Sequence, residues 1–234
     1  MRADDRIRQA AESARFRANA EPGKVDVFAA IRALEMRLLR YPLPQQSLEG
    51  AYVRRRGQAF ILVNSSFPLT RQRFTAAHEL GHAFLKPGEE IAHYDATLSD
   101  PEDVEANKFA SQFLMDEEAV REVTDEESDS TRMALLVMHA FDVSLEAAAI
   151  RLCDLRIITG AQKEQVRSLS RDEDVSLAKL SKQYRLPRPA SSRPDAVLDL
   201  GEEYEESLKA LVAAGLIPVE RESEFVFDDH DLGF

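Results

Sequence analysis

The 234-residue sequence predicts an α+β fold, mostly helical, with a small antiparallel or mixed sheet. Three observations carry this. Apolar residues recur at helical spacing in several long segments. One stretch, "GAYVRRRGQAFILVN", alternates and β-branches instead. Turn-forming clusters such as "EPGK", "SSFPLT" and "KPG" separate the two kinds of segment. An apolar fraction of 44 % is enough for one good core and a smaller second module.

Composition narrows the function classes. No run approaches the roughly 18 apolar residues of a membrane span, and the opening "MRADDRIRQAAESARFRANA" is charged throughout, so a cytoplasmic protein with no membrane partner is expected. The single cysteine, Cys153, excludes an internal disulfide and a cysteine-based zinc knuckle. Any metal must therefore be held by His, Asp or Glu. The net charge of −12 is local in origin, because fifteen Asp and Glu lie between Glu89 and Asp129 against only Lys108 and Arg121. Such a region repels phosphate backbones and attracts basic partners, although a solvated, solubility-giving face explains the same charge.

The elements follow in order. Arg2 to Ala20 reads as a helix of weak amphipathicity, and "DVFAAIRALEMRLLRY" as a second helix capped by Asp26 and running to Tyr41. A hairpin turning at Arg56-Gly57 follows, with "AFILVN" as its second strand. "SSFPLT" supplies a turn and a cap at Thr70, and the next helix, containing "RFTAAHELGHAFL", stops where Pro87 and Gly88 cannot easily continue it.

That helix carries the chemistry. His78 and His82 are four positions apart, about 400° around the helix, so both side chains leave one face as a divalent ion requires. Glu79 is next in angle to His78 and can serve as general base for a metal-activated water. Gly81 removes bulk between the histidines and leaves room for a strand or a substrate backbone. Two helix-surface histidines with no ligand are the plain alternative. The capped helix after a hairpin is, however, the setting in which this motif works.

A catalytic zinc needs a third protein ligand and an open position. A third histidine six residues after the second is ruled out, since that residue is Gly88. A carboxylate from the helix "DPEDVEANKFASQFLM" is the other solution, with Asp100 as cap and Pro101 in the first turn. Asp103 shares the inward face and is the first choice, with Asn107 placed to hydrogen-bond a ligand. Glu105 and Glu102 remain alternatives at this stage.

"RQRFTAAHELGHAFL" followed by "EANKFASQFLM", with "FILVN" upstream, resembles the ImmA/IrrE family of zinc-dependent peptidases over about Leu48 to Met115. The resemblance implies a minimal zincin, or thermolysin-like, core. It also implies His78 and His82 as zinc ligands, Glu79 as catalytic base, and the acid three residues before the Ala-Asn pair, Asp103, as third ligand. Two departures stand out. The acid is usually glutamate, so the helix must sit closer here or a neighbouring glutamate must substitute; and the family's "LMP" helix ending is Leu114-Met115-Asp116. His93 and Tyr94 are candidates for stabilising the oxyanion. "AFILVN" is expected to be the edge strand that aligns an extended substrate.

Downstream, "RMALLVMHAFDVSLEAAAIRLCDLRII" reads as two helices joined at "DVS" with Ser144 as cap, resembling a helix-turn-helix. Its second helix offers only Arg151 and Arg156 beside acids and alanines, too few groups for reading base edges, so docking of protein is the better expectation. "LPRPASSRPD" reads as a linker and "RESEFVFDDHDLGF" as a short strand with an acidic tail. The expected organisation is a metallopeptidase domain over 1–125, a helical module over 126–186, and a linker with a C-terminal segment over 187–234. No repeat, Gly-rich phosphate loop or nucleophile elbow is present.

Two functions follow. One is a zinc endopeptidase of restricted specificity; because the resembled family is known for cutting helix-turn-helix repressors, a basic repressor is its expected substrate. The other is a regulatory module that docks a partner and keeps a metal site without using it for catalysis.

Overall fold

The computed structural model describes residues 3–187, apart from 22, 45–47, 56, 87–90, 95–99 and 172–175, together with positions 209, 212 and 213. The predicted linker and C-terminal tail therefore lie outside the described residues.

The second helix is shorter than its sequence suggests. Asp26 caps α2 (Val27–Ala33) as expected, accepting from the Phe28 and Ala29 amides, but the helix closes before Glu35, which adopts the left-handed conformation at φ 59°. Met36 N–H reaches Ile31 C=O and Glu35 N–H reaches Arg32 C=O, the paired bonds of a Schellman ending. The remainder of the predicted helix is a strand, β1 (Arg37–Tyr41). It misleads because it is covered on both faces: Leu38 joins the main core, while Leu39 joins a second cluster on the other side of the sheet. Adjacent apolar residues at a doubly covered strand lack the alternation that betrays a half-exposed one.

The hairpin forms as predicted from β2 (Gly50–Arg55) and β3 (Gln58–Asn64), with Gly57 at φ 81° in its turn. Together with β4 (Ile91–Tyr94) these strands make a mixed sheet in the order β1-β3-β2-β4. β1 runs parallel to β3, with Leu39 opposite Leu62, and β2 is antiparallel to both β3 and β4. The expectation that "AFILVN" is the edge strand is thus overturned. β3 is paired on both sides, because β1 takes its second edge, and the strands at the sheet margins are β1 and β4.

The helices are α1 (Ala3–Arg17), α3 (Leu69–Leu85), α4 (Pro101–Leu114), α5 (Glu117–Thr124), α6 (Ser130–Phe141), α7 (Leu145–Asp154), α8 (Gly160–Arg171) and α9 (Leu177–Gln183). Thr70 does not cap α3. The helix starts at Leu69, behind Pro68, two residues earlier than a Thr70 cap would place it, so Thr70 is already in its first turn. On α4, Asp100 and Pro101 take their predicted places, with Asp100 accepting from Glu102 N–H. Asp116, where the resembled family has proline, caps α5 by accepting from Ala119 N–H. It ends one helix by starting another.

α3 lies across the sheet and α4 lies against α3, a close approach that Gly81 permits. A Cβ at Gly81 would sit 3.1 Å from the Phe109 ring and 3.2 Å from the Ala106 Cα. The space at Gly81 is therefore taken by α4, not by a strand or substrate. Two buried arginines secure the end of α4 by donating to its otherwise unpaired carbonyls: Arg15 to Phe113 C=O at 2.7 Å and Arg151 to Met115 C=O at 2.9 Å. Arg73, also buried, donates to Val25 C=O at 2.8 Å and to Phe141 C=O at 3.3 Å, tying α3 to α6.

α6 and α7 form the predicted bent pair, with a 111° turn, Asp142 left-handed at φ 50° and Ser144 capping through Ala147 N–H. Both helices contribute to the same apolar cluster as α1, α3 and α4, so the core is continuous across residues 125 and 126. Among the described residues no single helix is long and apolar enough to cross a membrane.

Candidate metal centre

α3 presents His78 and His82 to α4, and α4 presents Asp103 to both. The Nε2 atoms of the two histidines are 3.1 Å apart, and Asp103 Oδ1 lies 3.5 Å from the first and 3.4 Å from the second. Three ligand atoms within 4.8 Å of one another, from two imidazoles and a carboxylate, can hold one divalent cation. All three residues are buried. Glu102 and Glu105, the alternatives at the third position, point elsewhere: Glu102 pairs with Lys86 and Glu105 with Arg6. The shortness of Asp103 is met by the close packing of α4 on Gly81, so no neighbouring glutamate is needed.

His78 is prepared for a metal in both charge and tautomer. His78 Nδ1 lies 2.9 Å from Asn107 Oδ1, and since that oxygen can only accept, Nδ1 carries the proton and Nε2 offers its lone pair toward His82 and Asp103. Burial, reinforced by the neighbouring His82, pushes the His78 pKa down to about 3, so the ring is neutral in the physiological range. Asn107 is the hydrogen-bonding neighbour that its place one turn after Asp103 suggested.

Glu79 is the most informative residue. It is fully buried, and among the described residues neither carboxylate oxygen has a hydrogen-bond partner. Burial first and the Asp103 charge second raise its pKa well above the ordinary carboxylate range, opposed by the Tyr52 backbone, which approaches the carboxylate without completing a hydrogen bond. A buried acid left without a partner beside the neutral His78 is unfavourable unless a cation or a reacting group satisfies it. The donor set and the unsatisfied acid together fit a bound metal.

Gly50, which the sequence reading passed over, makes room for this acid. A Cβ there would meet Thr75 Cγ2 at 2.3 Å and Glu79 Oε1 at 3.0 Å. Its only sequence signal is a glycine in a strand, which often marks a close approach by another element. For His93 and Tyr94 the structure describes the β4 backbone alone, so their side chains lie outside what is described.

Comparison with known families decides the affiliation. The family model described as the IrrE N-terminal-like domain, Peptidase M78, matches residues 31–153, more than half of the chain. The chain belongs to this family. The match begins in α2 and ends in α7, so the IrrE N-terminal-like domain takes in the whole sheet, both metal-centre helices and the bent α6–α7 pair. α1, which grips α4 through Arg15, lies before it. No curated protein matches the chain. Membership supports a peptidase-like, metal-dependent domain, in agreement with the His78, His82 and Asp103 cluster.

Proposed function

We propose that this chain is a zinc-dependent endopeptidase of restricted specificity, acting in the cytoplasm on a basic helix-turn-helix repressor and so relieving repression. The observation that carries the catalytic part is the unsatisfied, buried Glu79 carboxylate next to the three-ligand cluster. A purely structural metal has no use for it.

In this reading His78, His82 and Asp103 hold the ion. When bound, zinc supplies Lewis acidity, polarising the scissile carbonyl and lowering the pKa of water toward neutrality. Glu79 takes the proton from the attacking water on a carboxylate oxygen and passes it to the leaving amine, a double role that suits an acid whose pKa lies above the usual range. Asn107 keeps His78 in the tautomer that leaves Nε2 free. The sheet buries Glu79 against Gly50 and excludes bulk water from it. β4, at the sheet margin and antiparallel to β2, is the strand whose outer edge would pair with an extended substrate.

Support for a repressor substrate comes from the family resemblance and from the acidic stretch between Glu89 and Asp129, which would steer a basic protein toward the site. The α6–α7 pair adds to this: Arg151, the one Lys or Arg on α7, is buried in bonding Met115 C=O, so this pair is better suited to packing than to DNA. Incubation of the zinc-loaded protein with a cognate helix-turn-helix repressor tests the proposal. One or two discrete fragments are expected, formed more slowly at high salt and absent with Glu79→Gln. Relief of repression with the repressor intact would favour a docking role, and indiscriminate digestion of casein would make the protein a general protease.

A further inference from the structure

Between the start of α3, the side of α4 and α7 lies a groove of about 890 Å³. Pockets that enclose drug-sized ligands run from about 300 to 1,000 Å³, so there is room for a short run of peptide side chains. The apolar lining comes from Phe74, Val104, Ala147 and Ile150. Only three large apolar side chains are exposed among the described residues, and two of them, Val104 at 47 % and Ile150 at 37 %, line this one groove. Exposed apolar surface gathered in a concavity marks a binding site; scattered singly it means little.

The groove borders the metal centre at α4, although His78, Glu79, His82 and Asp103 themselves do not line it. Val104 directly follows Asp103. Asn107, which accepts from His78 Nδ1, also lines the groove, as does Ser111 one turn further on. Ser111 is buried, and its hydroxyl has no hydrogen-bond partner among the described residues. A hydroxyl in that state is destabilising until a ligand supplies a partner, and the backbone of a bound peptide offers both donors and acceptors. Of the ionic groups in the lining, Glu49 pairs with Arg71, Glu146 with Arg167, and Lys108 with Asp4 on α1, which leaves Asp154 at the far end beside α8. Selection therefore falls to the apolar surface.

We propose that this groove is the substrate subsite on one flank of the scissile bond, that it takes aliphatic or aromatic side chains, and that Val104 and Ile150 set that preference. The assignment rests on the peptidase reading above. It makes the α6–α7 pair part of the substrate site: α7 supplies one wall, which gives that pair a role without DNA.

The test uses the zinc-loaded full chain and a randomised decapeptide library, with cleavage sites read by mass spectrometry. The wild-type protein should favour Leu, Ile, Met or Phe at a fixed offset on one side of the cut. Val104→Arg and Ile150→Arg should each lower cleavage of those peptides by about tenfold or more, and shift the preference at that offset toward acidic residues, with zinc content unchanged. Cleavage with the same preference in both variants would overturn the assignment and leave the peptidase reading intact. A photo-crosslinking amino acid at Ile150 of the Glu79→Gln protein gives an independent arm. Crosslinks to apolar library peptides support the groove even if no library peptide is cut, and the peptidase reading is then judged separately on the repressor. Crosslinks confined to the chain's own C-terminal segment, or to a second copy, would overturn the groove.

Discussion

Replacing Glu79 by glutamine should stabilise the metal-free protein, by an amount that grows with pH. The unfolded carboxylate loses its proton near 4.5, whereas burial and the Asp103 charge hold the folded one protonated to much higher pH. Between these limits the folded state binds more protons. Wild-type stability is therefore fully present below pH 4.5 and falls as pH rises through the folded pKa. Each pH unit costs about 1.4 kcal/mol, so from 4.5 to an assay pH of about 7.5 the loss has a ceiling of about 4 kcal/mol. Glutamine, nearly the same shape and never ionised, escapes it. For a chain of this size 1 kcal/mol corresponds to about 2–4 °C in Tm. Thermal melts in chelator should show the variant and wild type nearly equal at pH 4.5 and the variant several degrees higher at pH 7.5. Saturating zinc should shrink or reverse the gap, because a dication beside Glu79 favours its charge. A Tm difference that does not change with pH in the metal-free protein would refute the claim that this acid is buried without a partner.

Other consequences are as direct. His82→Ala should abolish the roughly one zinc per chain that elemental analysis is expected to find in the wild type. Asp103→Ala should weaken zinc binding by about tenfold or more while Glu105→Ala has little effect, because Glu105 is engaged with Arg6; titration against a fluorescent chelator would reveal the reverse order. Gly50→Ala should be destabilising by about 1–3 kcal/mol in denaturant melts and should reduce activity, since the new methyl overlaps Thr75 and crowds the Glu79 carboxylate. Arg151→Leu should cost about 1–3 kcal/mol through the buried Met115 carbonyl it leaves unpaired; an unchanged urea midpoint would show that carbonyl to be satisfied otherwise.

What could be read from the sequence was what depends on local spacing. His78 and His82 declare their common face by position alone, and Glu79 its place beside that face. Asp26, Asp100 and Ser144 cap their helices because a short polar side chain before an apolar period has few other uses. Asp103 was preferred over Glu102 and Glu105 by its angle on α4, and the structure brings Asp103 to the histidines while the other two reach cations. Features set by contacts distant in sequence were hidden. β1 looked helical because Leu38 and Leu39 are buried on opposite faces, and its parallel pairing with β3 is what removes "AFILVN" from the sheet margin. Gly81 and Gly50 each announced a close approach without saying of what. The answers, α4 and the Glu79 carboxylate, depend on tertiary packing.

Anomalous diffraction at the zinc edge, from crystals grown with zinc, tests the central claim most directly. One peak is predicted within about 2.0–2.2 Å of Nε2 of His78, Nε2 of His82 and a carboxylate oxygen of Asp103, with Glu79 beside it and uncoordinated. A peak held by Glu105 or Glu102, or no peak between α3 and α4 in zinc-replete crystals, would contradict it.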